Sequence, residues 1–227
     1  YRRQRQMCIR DRDRNMKNVK NLKVYETALI VVDMVNGFVN EGVLHDKNIR
    51  KIVPRQLELL EEAEKKGSLI ILVKDTHNKN ATEFKRFGNT THCIKGTSEA
   101  ELIDELKPFE QKDNVITVEK NSTSLMESPE FREIVKQAEN LKEVNFVGCC
   151  TDICVFNGAM GLANYYDEWN RDVTINVHED AIATYSEDER GEYIESAKLL
   201  MKLKWMIRIW EAVSYTHLRA HETLRHL

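Results

Sequence analysis

The chain has 227 residues, 41% of them hydrophobic and 31% charged, with a formal net charge of −3. That length supports one domain with a proper core and is too short for two comfortable ones. It carries no apolar run long enough to span a bilayer, which argues against a membrane protein, and its acidic balance argues against a partner that presents a phosphate backbone.

In chain order, the ends come first, because they read as DNA handling and not as folding information. Met7-Cys-Ile-Arg-Asp11 can be encoded ATG TGT ATA AGA GAC, whose reverse complement encodes Val-Ser-Tyr-Thr-His, the sequence from Val213 to His217. The segments YRRQRQMCIRDR and VSYTHLRAHET resemble translated sequencing adapters, so residues 1–15 and 213–227 are set aside as tails and a single domain is expected over 16–212, starting at Met16. That core holds 26 basic and 34 acidic side chains, a formal charge of −8. Its cysteines, Cys93, Cys149, Cys150 and Cys154, come without a secretory leader. A reducing cytoplasm is therefore expected, where clustered cysteines signify chemistry, metal or packing more often than disulfides.

The first apolar run, residues 27–33, is predicted as a buried strand. Residues 48–66 place Ile49, Ile52, Val53, Leu57, Leu60 and Ala63 on one helical face, and Gly67 ends that helix before a strand at 68–74. Further strands are predicted at 115–119, 144–148, 173–177 and 205–210, with helices near 98–106, 129–140, 152–166 and 187–203. Such alternation predicts an α/β fold, a single parallel sheet of about six strands with helices on both faces in a Rossmann-like three-layer sandwich. Ligands bind such sheets at the carboxyl ends of the strands.

Polar residues collect at those ends: Asp33, Asp75, Lys120 and the turn Gly-Cys-Cys-Thr-Asp-Ile-Cys over 148–154. Cys154 lies about one turn into a helix opened by Thr151 or Asp152, and a helix N-terminus favours a thiolate. The C-C-x₃-C spacing with a lone Cys93 does not suit a structural zinc site, and a redox C-x-x-C is absent. From this stretch alone a nucleophile and three buried, small apolar side chains are equal readings. With histidine scarce, Asp33 is the candidate proton acceptor, held by Lys120. Asp75, His77, Glu83 and His92 share one long loop after a strand, a donor set that suits a divalent transition metal with open positions.

Taken together these segments resemble the isochorismatase-like cysteine hydrolases, and within them the nicotinamidase branch. The matching motifs are LIVVDMVNGFV (29–39), D-x-H at 75–77, HCIKGT (92–97), VEKNST (118–123) and VGCCTDICV (147–155). The resemblance implies a catalytic trio of Asp33, Lys120 and Cys154, with Cys154 as nucleophile. It also implies a cis peptide bond between Cys149 and Cys150, an oxyanion hole from the amides of Cys150 and Cys154, and a substrate ring stacked on Phe38. Asp75, His77 and His92 would hold zinc, iron or manganese, with Glu83 as a candidate fourth ligand. The implied reaction is hydrolysis of nicotinamide to nicotinate and ammonia through a thioester at Cys154, in the service of NAD salvage. The partner would be a small-molecule amide, with no nucleic acid and no membrane, and homo-oligomer formation stays open.

Three departures qualify the match. Val35 stands where the family has glutamine, Ala81 where many nicotinamidases have a loop histidine, and F-G-N-T-T-H replaces a proline-containing run before the last ligand. Two other readings follow: another amidase of the superfamily acting on ureido or carbamoyl compounds, and a non-catalytic metal-binding or regulatory protein on the same scaffold.

Overall fold

A computed structural model describes residues 21–185. Five strands, β1 (Thr27–Val32), β2 (Leu69–Asp75), β3 (Val115–Lys120), β4 (Glu143–Cys149) and β5 (Thr174–Ala183), form one sheet in the order β3-β2-β1-β4-β5. Every neighbouring pair is parallel, with Ile30 of β1 level with Ile71 of β2 and Phe146 of β4. The expected α/β architecture is borne out. The central strands are continuous β-branched and leucine runs because both sheet faces are covered.

Alternate residues of each strand feed two core layers. Ile30, Val32, Ile71 and Phe146 pack with Phe131, Ile134, Ala159 and Leu162 from the helices Pro129–Gln137 and Phe156–Glu168. Leu29, Val31, Ile70 and Val147 pack with Val53, Leu60 and Ala63 from the helix Val53–Lys66.

The helix expected over 48–66 is divided into a turn at Lys47–Arg50 and the helix Val53–Lys66. Pro54 sits in the first turn of the longer piece, where its missing N–H is not needed but its ring opposes an uninterrupted helix. Gly67 closes the helix in a left-handed conformation, its amide donating to the carbonyls of Ala63 and Glu64. Ser128 caps the helix Pro129–Gln137 by accepting from the Phe131 amide.

Two expectations are corrected. Residues 98–106 are not a helix: only Ser98–Ala100 makes a short turn, Glu101 is extended, and Leu102 bridges Val35. Backbone bonds from Asn36 to Glu101 and from Ile103 to Met34 outcompete the local helical pattern there. The fifth strand runs on past Val177 to Ala183, with a register irregularity opposite Phe146 and Gly148 that leaves Glu179 and Asp180 exposed. The helix expected at 187–203, the strand at 205–210 and both terminal tails lie outside the described residues. Among the described residues no helix is long and apolar enough to cross a membrane.

Candidate active site

Four strand ends meet on one side of the sheet. Asp33 follows β1 directly, Asp75 closes β2, Lys120 closes β3 opposite Asp75, and Cys149 closes β4. Asp33 takes a left-handed conformation (φ 54°), its amide donating to the Val73 carbonyl and its own carbonyl accepting from Val35. An aspartate tolerates that region better than most residues. Gly148 is a glycine of necessity: its φ is 118°, and a Cβ there would lie 2.1 Å from the Val32 carbonyl oxygen. β1 and β4 thus approach closely where their functional ends begin. The Cys149–Cys150 peptide bond is cis.

Beyond it, Thr151–Val155 forms a wide π turn, with the Val155 amide bonded to the Cys150 carbonyl, before the regular helix starts at Phe156. This opening differs from the plain α-helix expected at 152 and points the Cys154 side chain back at the strand ends.

At the centre lies Lys120, whose side chain is 1% exposed. Its Nζ is 2.8 Å from Asp33 Oδ2, 2.7 Å from Asp75 Oδ1 and 3.5 Å from Cys154 Sγ. The ammonium pairs with the Asp33 carboxylate, which also faces the Cys154 thiol. Burial raises the Asp33 carboxyl to about 6, Lys120 opposing and Asp75 reinforcing the rise. Burial would also raise Asp75, but Lys120 and the two histidines overcome it and hold the group well below the usual carboxylate range. Burial would strip the proton from Lys120, and the two carboxylates keep it firmly cationic.

The thiol itself departs from expectation. Burial pushes Cys154 well above its ordinary value, and although Lys120 pulls it down, Asp33 and Asp75 push it up. A helix N-terminus therefore does not make a standing thiolate here; two anions against one cation in a dry site keep the proton on sulfur. Cys149, also buried, donates its thiol to the Asp33 carbonyl at 3.2 Å.

Beside this trio stand Asp75, His77 and His92, all buried, with donor atoms within 4.8 Å of one another. His77 Nε2 lies 2.9 Å and His92 Nε2 3.4 Å from Asp75 Oδ2. His92 Nδ1 faces the Thr90 carbonyl at 3.1 Å. A proton on that nitrogen leaves the Nε2 lone pair turned toward an anionic oxygen, an arrangement a cation between them would relieve. His77 Nδ1 is buried without a hydrogen-bond partner. The donor set fits a divalent transition metal. Glu83 stands outside the triplet: it is buried in the wall of the same pocket, and one of its oxygens accepts from the Thr123 amide at 3.0 Å.

A pocket opens above these groups. Asp75, His92, Cys150 and Cys154 line its polar side, and Phe38, Leu44, Phe87, Ile153 and Tyr185 its apolar side. The rings of Phe38 and His92 stand 5.9 Å apart. The structure thus brings Asp33, Phe38, Asp75, His77, His92, Lys120, Cys150 and Cys154 to one place. Leu44, Phe87, Thr123, Ile153 and Tyr185 were not anticipated; Tyr185 follows the true end of β5 by two residues, so placing that end correctly would have found it by the strand-end rule.

Comparisons with known proteins place the chain among its relatives. Nicotinamidase 1 of Arabidopsis thaliana is 33% identical over 144 residues, 57% of either chain. The structure of N-carbamoylsarcosine amidase from Thermoplasma acidophilum superposes with a TM-score of 0.59 at 28% identity, covering 75% of this chain and 91% of that one. Pyrazinamidase of Pyrococcus horikoshii, solved in complex with zinc, gives a TM-score of 0.61 at 25% identity over 77% and 95% of the two chains. The isochorismatase domain model matches residues 27–203, and the chain belongs to the isochorismatase family.

Proposed function

We propose that the chain is a cysteine amidohydrolase that converts nicotinamide and water to nicotinate and ammonia. The observation that carries this reading is the contact of one buried lysine, Lys120, with Asp33, Asp75 and Cys154 together, at the floor of a pocket with an aromatic wall.

Cys154 begins as a thiol, and Asp33, ionised above about pH 6, is the base that takes its proton. The new thiolate lies beside the Lys120 ammonium, which offsets its charge as the proton leaves. Sulfur attacks the amide carbonyl, and the amides of Cys150 and Cys154 receive the developing oxyanion. The C–N bond then breaks, Asp33 returns its proton to nitrogen, and ammonia departs, leaving an acyl group on sulfur. Water adds to that thioester with Asp33 accepting a proton, and cleavage of the C–S bond releases the acid and restores the thiol. Phe38 offers its face to the substrate ring. Asp75, His77 and His92 would hold a divalent metal, which would supply a Lewis acid for the ring nitrogen of the substrate.

A second reading, an amidase for carbamoyl or ureido compounds, is favoured by the likeness to N-carbamoylsarcosine amidase and by Ala81, which stands where the resemblance to nicotinamidases calls for a histidine. Ammonia release from nicotinamide and from an N-carbamoyl amino acid, each with and without added zinc, iron or manganese, separates the two. Metal-dependent release from nicotinamide that disappears in Cys154→Ala is the expected result. Release from the carbamoyl compound alone would transfer the assignment, and undiminished turnover by Cys154→Ala would end the thioester mechanism. No release from either, with Cys154 still selectively alkylated, would keep a cysteine hydrolase for another small amide, and an unreactive Cys154 in an intact fold would leave the non-catalytic reading.

A further inference from the structure

The segment after the histidine loop contains an acidic side chain, Glu99, that belongs to neither the trio nor the metal triplet yet lies against both the residue after His92 and the loop that carries Phe38. Its Oε2 accepts from the Cys93 amide at 2.9 Å. Cys93 directly follows His92 and is held in a left-handed conformation (φ 44°) that a non-glycine residue adopts only when its surroundings impose it. The Cys93 carbonyl in turn accepts from the His77 amide at 2.8 Å. One carboxylate therefore holds Cys93, the residue that follows one histidine of the triplet and accepts from the backbone amide of the other.

On its other side Glu99 reaches the loop that carries Phe38. A Cβ on Gly37 would lie 3.1 Å from both the Glu99 Cβ and its carbonyl oxygen, and one on Gly42 would lie 2.8 Å from Glu99 Oε1. The same Gly37 position would meet the buried Cys93 sulfur at 2.7 Å. Neighbouring hydrogen bonds, from the Asn36 side-chain Nδ2 to the Ser98 carbonyl and from the Asn36 backbone amide to the Glu101 carbonyl, hold the two segments in contact.

We infer that Glu99 is a positioning residue that clamps the His92–Cys93 peptide to the Phe38 loop, setting together the metal-holding histidines and the aromatic wall that receives the substrate ring. The inference rests on the amidase reading for its substrate arm and on the metal triplet for the other. Without the carboxylate the Cys93 amide has lost its acceptor inside the protein, and the left-handed turn relaxes. His92 and His77 then lose a common restraint, and groups that orient metal-binding histidines typically cost 10–100-fold in metal affinity when removed.

The test compares the full-length protein with Glu99→Ala and Glu99→Gln. Zinc affinity is read by competition with a chromophoric chelator, and KM and kcat for nicotinamide are read at saturating zinc. Glu99→Ala is expected to bind zinc about ten-fold more weakly or worse, with KM raised and kcat little changed once the site is loaded. Glu99→Gln keeps a carbonyl acceptor for the Cys93 amide and is expected to recover most of both losses. A lowered melting temperature in Glu99→Ala with zinc affinity and KM unmoved would overturn the inference, leaving Glu99 only a structural contact. A wild-type protein that takes up no zinc would overturn the metal arm together with the triplet reading. Absence of nicotinamide turnover alongside a ten-fold loss of zinc affinity would sink only the substrate arm.

Discussion

Lys120→Met is the perturbation whose consequences the structure fixes most fully. The substitution keeps a long unbranched side chain and removes the charge that sits 2.8 Å from Asp33 and 2.7 Å from Asp75. At an effective dielectric of about 20, each contact carries a gross Coulomb attraction of about 6 kcal/mol, most of it offset by the desolvation of three buried charges. Removing one partner of such a set leaves two carboxylates buried together, and the net loss is expected to be about 3–5 kcal/mol at neutral pH. The sign of its pH dependence follows from Asp33. Its folded value, already raised to about 6, rises further without the lysine. A carboxyl whose folded value lies above its unfolded one contributes stability at low pH and loses it as pH rises through the folded value. The variant should therefore lose most at pH 8 and less near pH 4–5, where Asp33 is protonated with or without the lysine and only the pairing with the still ionised Asp75 is missing. Urea unfolding at the two pH values, with chelator present so that no metal neutralises Asp75, measures this. An equal deficit at both, or less than about 1 kcal/mol at pH 8, would refute the account of Lys120 as the counter-charge to both acids.

Activity should show its own acid limb: kcat/KM for nicotinamide falls below an apparent value of about 6 as Asp33 takes up its proton, and Asp33→Asn should be inactive across the range. A limb centred near the ordinary aspartate value would mean that the base is better solvated than its burial implies. Gly148→Ala should cost more than about 4 kcal/mol or fail to accumulate as folded protein, because the added methyl meets the β1 backbone and not a side chain that can swing aside. Circular dichroism and thermal unfolding settle it, and a soluble variant with a near-normal melting temperature would show that β1 and β4 can part without loss.

How much of the site was legible depended on how local its causes were. Strand and helix alternation is written in short-range apolar periodicity, and parallel pairing follows from it, so Asp33, Asp75, Lys120 and Cys149 could be placed at strand ends before any coordinates. The stretch 98–106 misled because its apolar spacing fits a helix while its backbone partners, Met34, Val35 and Asn36, lie more than sixty residues away. β5 was drawn too short for a related reason: its bulge interrupts the alternation that marks a strand, and Tyr185 was lost from the pocket with it.

The sequence by itself determined the fold class and the identity of the groups at the strand ends, because each of these follows from residue type and nearest neighbours along the chain. Tertiary structure decided what those groups are in chemical terms. Burial keeps the proton on Cys154 and lifts Asp33 toward 6, Lys120 proves to serve two carboxylates at once, Glu83 turns to the Thr123 amide, and Glu99 spans two loops. Desolvation and charge act through space, between residues brought within a few ångströms by the sheet, and no spacing along the chain records which of them will meet.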